Sequence, residues 1–282
     1  MIKVTINGIT VEVEAGSTIL QAAEAAGVKI PTLCYIKGLF PEASCRMCMV
    51  EIQGMPKLVT ACSFPAADGN VVFTESERVV AARKGILELL LSNHKTNCFA
   101  CRANGECKLQ DLCFKYGVKE SSFEGERVDK PIDDSNPYFT YDPNLCIMCH
   151  RCVNTCHKLV GVGAIDTTKR GFAATIGTAF GIDWNNTNCE FCGNCVQACP
   201  VGALTYKRHD AYRIWETTAQ DFTCPLCPEH CELELLIKKG KVVDVRTKEG
   251  VICCVRGRSI KELTDMISAL MTANIIKRVG ED

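Results

Sequence analysis

Cysteine is the residue that most restricts what this chain can fold into, because 21 of its 282 residues are cysteine. The cysteines fall into five groups, each about the size of a metal-ligand set. From the amino-terminal end, the groups are Cys34, Cys45, Cys48 and Cys62; Cys98, Cys101 and Cys107, with His94 just upstream; Cys146, Cys149, Cys152 and Cys156; Cys189, Cys192, Cys195 and Cys199; and Cys224, Cys227 and Cys231 with either Cys253 or Cys254. Closely spaced thiolates of this kind hold iron–sulfur clusters. The sequence therefore predicts several clusters and a role in moving electrons.

The charge and the amino-terminal segment exclude several classes of protein. The 32 basic and 33 acidic residues leave a net charge of −1, whereas a nucleic-acid-binding domain carries a basic patch or stripe. Residues 1–6 suggest a strand and lack the charged-then-apolar layout of a signal peptide. No apolar run reaches the roughly 18 residues of a membrane-spanning helix. We therefore expect a cytoplasmic chain with no nucleic-acid partner and no transmembrane segment.

Disulfides and zinc are the two other uses for so many cysteines. Disulfide frameworks belong to secreted proteins, and this chain shows no export signal. Zinc ribbons use C-x2-C pairs, which occur in the first, second and fifth groups. A zinc-stapled scaffold without a redox function is therefore an alternative to an electron carrier.

The segment before the first cysteine group has the order hairpin, helix, cysteine loop. Residues 2–6 and 9–13 predict two strands joined at Asn7-Gly8, the preferred two-residue hairpin turn. A helix over 19–26 follows, with Thr18 as the start of a capping box. The next four cysteines have the spacing C-x10-C-x2-C-x13-C. This order is that of a β-grasp ferredoxin, and four thiolates from one loop-rich region suit a [2Fe–2S] cluster.

The second cysteine group follows an amphipathic helix predicted over 76–92. The apolar stripe of this helix is Val79, Val80, Ile86, Leu87, Leu90 and Leu91. The motif after it is H-x3-C-x2-C-x5-C, in which three thiolates leave a [4Fe–4S] cluster one ligand short. His94 is the candidate for the fourth ligand, and Cys113 is its rival. Imidazole ligation makes a cluster site less negative and should raise its reduction potential.

An internal repeat follows a polar linker predicted over 119–136. The pattern C-x2-C-x2-C-x3-C occurs at 146–156 and again at 189–199, where it ends in the Cys199-Pro200 of bacterial ferredoxins. The fourth cysteine crosses over in two-cluster ferredoxins. One predicted [4Fe–4S] set is therefore Cys146, Cys149, Cys152 and Cys199, and the other is Cys156, Cys189, Cys192 and Cys195. The insert over 157–188 is interpreted as a loop, because Gly161-Val162-Gly163 lacks the rest of a dinucleotide fingerprint.

The fifth group predicts a small β unit around one more [4Fe–4S] cluster. Two strands, 233–237 and 242–245, are separated by the turn Lys239-Gly240-Lys241. The spacing leaves Cys253 and Cys254 as alternatives for the fourth ligand. The final segment, 259–279, predicts an amphipathic helix that packs on its own chain or docks a partner.

These motifs, in this order, resemble the large iron–sulfur subunit of NADH dehydrogenase (complex I). They resemble equally the amino-terminal iron–sulfur region of [FeFe] hydrogenase and NAD-linked formate dehydrogenase catalytic subunits. The resemblance covers residues 1 to about 258. It implies that Cys254, directly before Val-Arg-Gly-Arg, is the last ligand and that Cys253 is structural. It also implies a flavoprotein partner that binds FMN or FAD and NAD(P), and exchange of electrons with ferredoxin.

Together these features predict an α+β, multi-domain iron–sulfur protein with one [2Fe–2S] and four [4Fe–4S] clusters. The expected parts are a β-grasp [2Fe–2S] ferredoxin domain (1–78), a His/Cys [4Fe–4S] helical segment (79–118), a linker (119–136), a bacterial two-cluster [4Fe–4S] ferredoxin domain (137–210), a small β [4Fe–4S] domain (216–258) and a C-terminal helix (259–282).

In the families it resembles, a large catalytic domain follows the iron–sulfur region. The 24 residues after 258 are too few to build a pocket for molybdopterin or a hydrogen-activating cluster. We therefore expect an electron-transfer subunit with no substrate-converting site, which favours an NAD(P)H/ferredoxin oxidoreductase, including an electron-bifurcating transhydrogenase with an NADP-binding flavoprotein. The alternative is a relay for a formate dehydrogenase or hydrogenase whose catalytic domain is a separate chain.

Overall fold

The computed structural model describes residues 1–207, 212–223 and 232–247, together with 265, 266 and 269. They form two compact units. The first comprises Met1–Thr96 and Lys108–Arg127, and the second comprises Asn97–Cys107 and the described residues from Val128 onward. The predicted ligands Cys224, Cys227, Cys231, Cys253 and Cys254 lie outside the described residues, as does most of the predicted terminal helix. Within the described part of the chain, no helix is long and apolar enough to cross a membrane.

The first unit is built on a five-stranded sheet with the strand order β2-β1-β5-β3-β4. Its strands are β1 (Ile2–Ile6), β2 (Ile9–Val13), β3 (Met49–Ile52), β4 (Val59–Thr60) and β5 (Asn70–Phe73). The central strand β5 runs parallel to β1 and antiparallel to β3. The predicted hairpin turn is present, since Asn7 (φ 48°) and Gly8 (φ 86°) both take left-handed conformations, as a type I′ turn requires.

Helix α1 (Ile19–Ala25) covers the sheet and begins at the predicted capping box. The Thr18 hydroxyl accepts from the Gln21 N–H, and the Gln21 side chain accepts from the Thr18 N–H. The helix buries Ile19 and two alanines against the sheet. The apolar core formed in this way contains Val4, Ile6, Val13, Ile19, Ala22, Ala23, Ile30, Cys48, Val50, Ile52, Ala61, Cys62, Ala66 and Val72.

Helices α2 (Glu77–Ser92) and α3 (Lys108–Tyr116) pack on each other in the first unit. The buried row of α2 is Val79, Arg83, Leu87 and Leu91. The predicted stripe therefore needs correction: Val80, Ile86 and Leu90 are only half-buried, and an arginine occupies the middle of the buried face. Residues four apart share one helix face, and Arg83 can occupy it because each nitrogen of its guanidinium finds an acceptor.

The second unit holds both copies of the cysteine repeat. Strand β6 (Phe139–Tyr141) pairs antiparallel with β9 (Leu204–Tyr206), and the two strands enclose the repeat in sequence. Helix α4 (Arg151–Asn154) continues into a π-helical turn over Thr155–Val160, and α5 (Asn194–Ala198) lies in the second copy. Phe139 meets Trp184 edge to face, with ring centroids 5.0 Å apart, and both side chains are buried.

The insert between the repeats contains a hairpin that the sequence interpretation as a loop missed. Strands β7 (Asp166–Thr168) and β8 (Thr175–Gly177) pair antiparallel. Each has only three residues, which is too short to show the alternating pattern of a strand. The segment around Gly161 and Gly163 is irregular, as predicted.

The end of the segment predicted as a linker belongs to the second unit. The backbone of Asp133 pairs with that of Tyr141, and its carboxylate accepts from the Trp184 indole at 2.8 Å. Asn136 is fully buried. Polar side chains that pair inside the fold give the same composition as a solvated linker, so sequence alone could not separate the two.

A three-stranded antiparallel sheet with the order β10-β11-β12 also belongs to the second unit. Its strands are β10 (Thr218–Thr223), β11 (Glu232–Lys238) and β12 (Lys241–Thr247). The last two match the predicted strands, and their turn has left-handed Lys239 (φ 50°) and Gly240 (φ 75°). Strand β10 was not anticipated from the sequence.

Candidate metal centres

The first cysteine group lies in two loops of the first unit, both next to the sheet. Cys34, Cys45 and Cys48 lie between α1 and β3, and Cys62 follows shortly after β4. All four side chains are buried. The loop turns sharply before Cys45 and before Cys48, where Ala43 (φ 51°) and Arg46 (φ 58°) are left-handed.

The four thiols of this group form two close pairs. The Cys48 and Cys62 sulfurs are 3.4 Å apart, with Cys48 donating. The side-chain interaction between Cys45 and Cys34 lowers the pKa of Cys34 to about 5 and raises the pKa of Cys45. Two thiolates on one tetrahedral metal lie about 3.8 Å apart. Two such pairs fit the two irons of a [2Fe–2S] cluster.

The two copies of the ferredoxin-type motif have the same local structure. Two residues after the first cysteine, Met148 (φ 50°) and Phe191 (φ 54°) are both left-handed. Their backbone N–H groups donate to Cys146 and Cys189, respectively, with nitrogen–sulfur distances of 3.4 Å in both cases. The sequence repeat is therefore a structural repeat that directs amide donors at sulfur.

The fourth cysteine of each copy interacts electrostatically with the first three cysteines of the other. Burial, followed by the nearby thiols Cys199 and Cys146, raises the pKa of Cys149 to about 12. Burial raises the pKa of Cys189 to about 11, with smaller contributions from Cys192 and Cys156. The structure thus places Cys199 near the thiols of the first copy and Cys156 near the thiols of the second. That these thiols share clusters stays a prediction.

The Gly161-Val162-Gly163 segment supplies part of the surroundings of Cys156, a role that sequence analysis missed. Gly161 (φ 84°) and Gly163 (φ 64°) turn the backbone back over the π-helical turn. The Ala164 N–H then donates to the Cys156 sulfur at 3.3 Å. Burial raises the pKa of Cys156, and the amides of Ala164, Ile165 and Gly163 oppose that shift. Amide donors stabilise thiolate, the form that binds metal.

The second cysteine group is divided between the two units. His94 lies two residues beyond α2 in the first unit and is buried. Cys98, Cys101 and Cys107 lie in the second unit, in a loop of consecutive turns. The rival ligand Cys113 lies on the buried face of α3 with Leu109 and Tyr116.

Gly202 determines how closely the loop of the second group can approach the ferredoxin-type motif inside the second unit. A Cβ atom on Gly202 would lie 2.6 Å from the Cys101 sulfur and 3.3 Å from the Ala103 Cβ. The first distance is far below van der Waals contact, so only glycine fits here. Gly202 lies three residues after Cys199, but nothing in the sequence indicates that it packs against Cys101.

No disulfide joins any of the sixteen cysteines in the described ranges. Among the residues that the structure describes, no three His, Cys, Asp or Glu side chains form a group that could hold a single metal ion.

Three family models match successive parts of the chain. Residues 1–77 match a 2Fe-2S iron-sulfur cluster binding domain. Residues 83–122 match the iron-sulfur binding region of NADH-ubiquinone oxidoreductase G. Residues 136–205 match the ferredoxin-like domain of NADH-quinone oxidoreductase subunit 3.

Whole-chain comparisons agree with these matches. The chain is 43% identical over 266 residues to the G 2 subunit of NADH-quinone oxidoreductase from Rhizobium meliloti, covering 92% of this chain and 31% of the relative. It is 39% identical over 263 residues to the alpha subunit of NADPH-Fe(3+) oxidoreductase from Geobacter sulfurreducens, with the same coverage. A solved structure of an NAD+-reducing [NiFe]-hydrogenase matches with a TM-score of 0.67 and 32% identity, covering 73% of this chain and 87% of that one. The chain thus spans under a third of the length of these two curated relatives.

Proposed function

This chain belongs to the family of the NADH-quinone oxidoreductase G subunit, the iron–sulfur subunits of NAD(P)H-linked oxidoreductases, and from this we propose that it relays electrons. The electrons would pass between a flavin-bearing, NAD(H)-binding partner and ferredoxin or another redox subunit. The observation that carries the proposal is that Cys199 lies near the thiols of the first ferredoxin-type motif and Cys156 near those of the second. Two clusters held by such crossed ligand sets would lie side by side, as a relay requires.

The proposal includes five ligand sets and one [2Fe–2S] plus four [4Fe–4S] clusters. The proposed sets are Cys34, Cys45, Cys48 and Cys62 for [2Fe–2S]; and His94, Cys98, Cys101 and Cys107, then Cys146, Cys149, Cys152 and Cys199, then Cys156, Cys189, Cys192 and Cys195, and finally Cys224, Cys227, Cys231 and Cys254 for [4Fe–4S]. The close thiol pairs of the first unit and the amide donors of the second support the described sets. The His94 set and the last set rest on sequence motifs.

The protein's own part in this function is to hold thiolates and to adjust their surroundings. When bound, the clusters accept and release single electrons. Amide donors such as Met148 and Phe191 offset negative charge on the sulfurs. Such hydrogen bonds and the degree of solvent exposure tune reduction potentials over several hundred millivolts. No side chain needs to act as a nucleophile or a general base.

The domain division belongs to the same proposal. We assign a β-grasp [2Fe–2S] domain to 1–78, a His-ligated [4Fe–4S] segment to 79–118, a two-cluster ferredoxin domain to 137–210 and a C-terminal [4Fe–4S] domain to 216–258. The strand order β2-β1-β5-β3-β4 and the covering helix α1 support the first assignment. The proposed location is cytoplasmic, where cysteines stay reduced.

The partners also belong to the proposal, together with the cofactors they would bring. A flavoprotein subunit would supply FMN or FAD and the NAD(P) site, and ferredoxin would be the second electron partner. Flavin-based bifurcation would require a second, NADP-binding flavoprotein. The relative named as an NADPH-Fe(3+) oxidoreductase subunit supports a nicotinamide-linked complex.

A second candidate is a relay subunit of a hydrogenase or formate dehydrogenase complex. The match to the NAD+-reducing [NiFe]-hydrogenase structure favours the hydrogenase form, since that solved chain is covered over 87% of its length. In this case the electrons come from a separate catalytic chain.

Anaerobic purification from the native cell, with mass spectrometry of every bound chain, tests the proposal. We expect a brown protein with about 18 irons per chain if all five sites fill, together with a flavoprotein. A hydrogenase or formate dehydrogenase subunit in the complex would favour the second candidate. A colourless preparation that contains zinc would contradict both and support the scaffold alternative.

A further inference from the structure

Arg83 is a fully buried cation in the first unit, on the inner face of α2. Burying a charge costs several kcal/mol unless it is paired and hydrogen-bonded. An apolar residue at this position would continue the row of Val79, Leu87 and Leu91. The contacts of the guanidinium therefore explain why this position is an arginine.

Two of these contacts are the peptide carbonyls on either side of Cys48. The Arg83 Nε donates to the Met47 carbonyl at 3.0 Å, and Nη2 donates to the Met49 carbonyl at 2.9 Å. Cys48 itself is 1% exposed and pairs with Cys62. The guanidinium thus holds the backbone before and after one cysteine of the first group.

The third nitrogen of the guanidinium contacts residues on the other side. Arg83 Nη1 donates to Tyr116 Oη at 2.7 Å and to Glu75 Oε1 at 3.0 Å. The same Glu75 oxygen accepts from Lys115 Nζ at 2.9 Å. Two cations therefore share one carboxylate.

The net charge of this group remains positive on the buried side. The side chains of Glu75 and Lys115 are 42% and 50% exposed, whereas that of Arg83 is 0% exposed. Glu75 and Lys115 carry opposite charges that largely offset each other and are partly screened by solvent, whereas the buried charge of Arg83 is screened much less. The positive charge that acts on the Cys48 loop is accordingly that of Arg83.

We propose that Arg83 is a positioning residue for Cys48 and that its charge raises the reduction potential of the [2Fe–2S] cluster. The proposal rests on the function proposed above. Reduction adds one electron to the cluster and no proton, so the bound group becomes more negative by one charge. A nearby cation in a poorly screened environment stabilises the reduced form more than the oxidised form.

The test is a redox titration of the intact, cluster-loaded chain, followed by the electron paramagnetic resonance (EPR) signal of the reduced [2Fe–2S] cluster. For Arg83→Met, which keeps the length and loses the charge, we expect the ratio of reduced to oxidised cluster at a fixed potential to fall about tenfold, or about 59 mV for one electron. Arg83→Lys should stay close to the unaltered chain. Glu75→Gln removes the neutralising carboxylate and should shift the potential upward.

Arg78→Met is the matched control on the same helix. Arg78 pairs with Glu51 at 2.9 Å, and its side chain is 51% exposed, so its loss should leave the potential unchanged. Iron content and the signals of the other clusters show that each variant is loaded.

An unchanged potential in fully loaded Arg83→Met would overturn the inference, as would equal shifts in Arg83→Met and Arg83→Lys. If Arg83→Met does not bind its cluster, the potential of the [2Fe–2S] cluster in Glu75→Gln is the deciding measurement. An unshifted potential in that variant would overturn the inference. Absence of any [2Fe–2S] signal from the unaltered chain would instead contradict the proposed function.

Discussion

Cys48 and Cys113 are both buried cysteines of the first unit, but their surroundings differ. Cys48 lies in a loop, 3.4 Å from the sulfur of Cys62. Cys113 lies on the packed face of α3 with Leu109 and Tyr116. A cysteine packed on a buried helix face behaves as a small apolar side chain, whereas thiols that converge in a loop have the arrangement that iron–sulfur clusters use.

This difference predicts opposite results for alanine at the two positions. Cys48→Ala should abolish the [2Fe–2S] EPR signal and remove about two irons per chain. Cys113→Ala should keep every signal and the full iron content. Loss of about four irons in Cys113→Ala would show that Cys113, and not His94, completes the second cluster.

His94 carries a second prediction at the residue scale. A thiolate brings more negative charge to a cluster than a neutral imidazole, so His94→Cys should lower the reduction potential of one [4Fe–4S] cluster. A redox titration followed by EPR measures the shift, with the other clusters as internal references. His94→Ala is the companion variant and should lose that cluster or change its type. Unchanged potentials and iron in both variants would exclude His94 as a ligand.

At the scale of elements, short helices and tight loops carry the candidate centres of the second unit. Helices α4 and α5 span only Arg151–Asn154 and Asn194–Ala198. Isolated helices this short are unstable in water. Their geometry therefore depends on close packing around the cysteines. The contact between the Cys101 sulfur and Gly202 is an example of such packing.

Gly202→Ala tests that packing. The new methyl would lie 2.6 Å from the Cys101 sulfur, and overpacking of this kind typically costs about 1–3 kcal/mol. We expect lower thermal stability and partial loss of iron, measured by calorimetry and iron analysis. The control is Gly85→Ala on α2, where a Cβ meets nothing within 4 Å and the helix should gain about 0.5–1 kcal/mol. Equal behaviour of the two variants would contradict the packing argument.

At the scale of the whole molecule, the two units differ in what holds them together. The first unit has a five-stranded sheet and an apolar core in which Val4, Ile6, Ile19, Val50 and Val72 are fully buried. The described cysteine motifs of the second unit lie in loops and short helices. Metal binding supplies folding free energy directly to segments of this kind.

Removal of iron should therefore affect the two units differently. After anaerobic chelation, we expect hydrogen exchange to speed up sharply over 146–156 and 189–199, while β1, β5 and α1 stay protected. Mass-spectrometric exchange on loaded and chelated protein measures this. Uniform loss of protection along the chain would mean that the sheet of the first unit also depends on its cluster.

Sequence alone determined the features that depend on neighbours in the chain. The Asn7-Gly8 turn and the Thr18 capping box form within a few residues. The spacing of the repeat predicts the exchange of Cys156 and Cys199 between the two sets, and this ligand assignment stays a prediction.

Only the tertiary structure decided the features that join distant segments. Arg83 and Met47 are 36 residues apart, and Gly202 meets Cys101 across about a hundred residues. The local sequence pattern predicted an apolar stripe on α2 and did not indicate which residue packs against Gly202. Hydrophobic periodicity predicts which face of an element is buried, but it does not predict the residues that this face contacts. The roles of the buried charge of Arg83 and of the missing side chain at Gly202 can be explained only from the atoms that the fold places next to them.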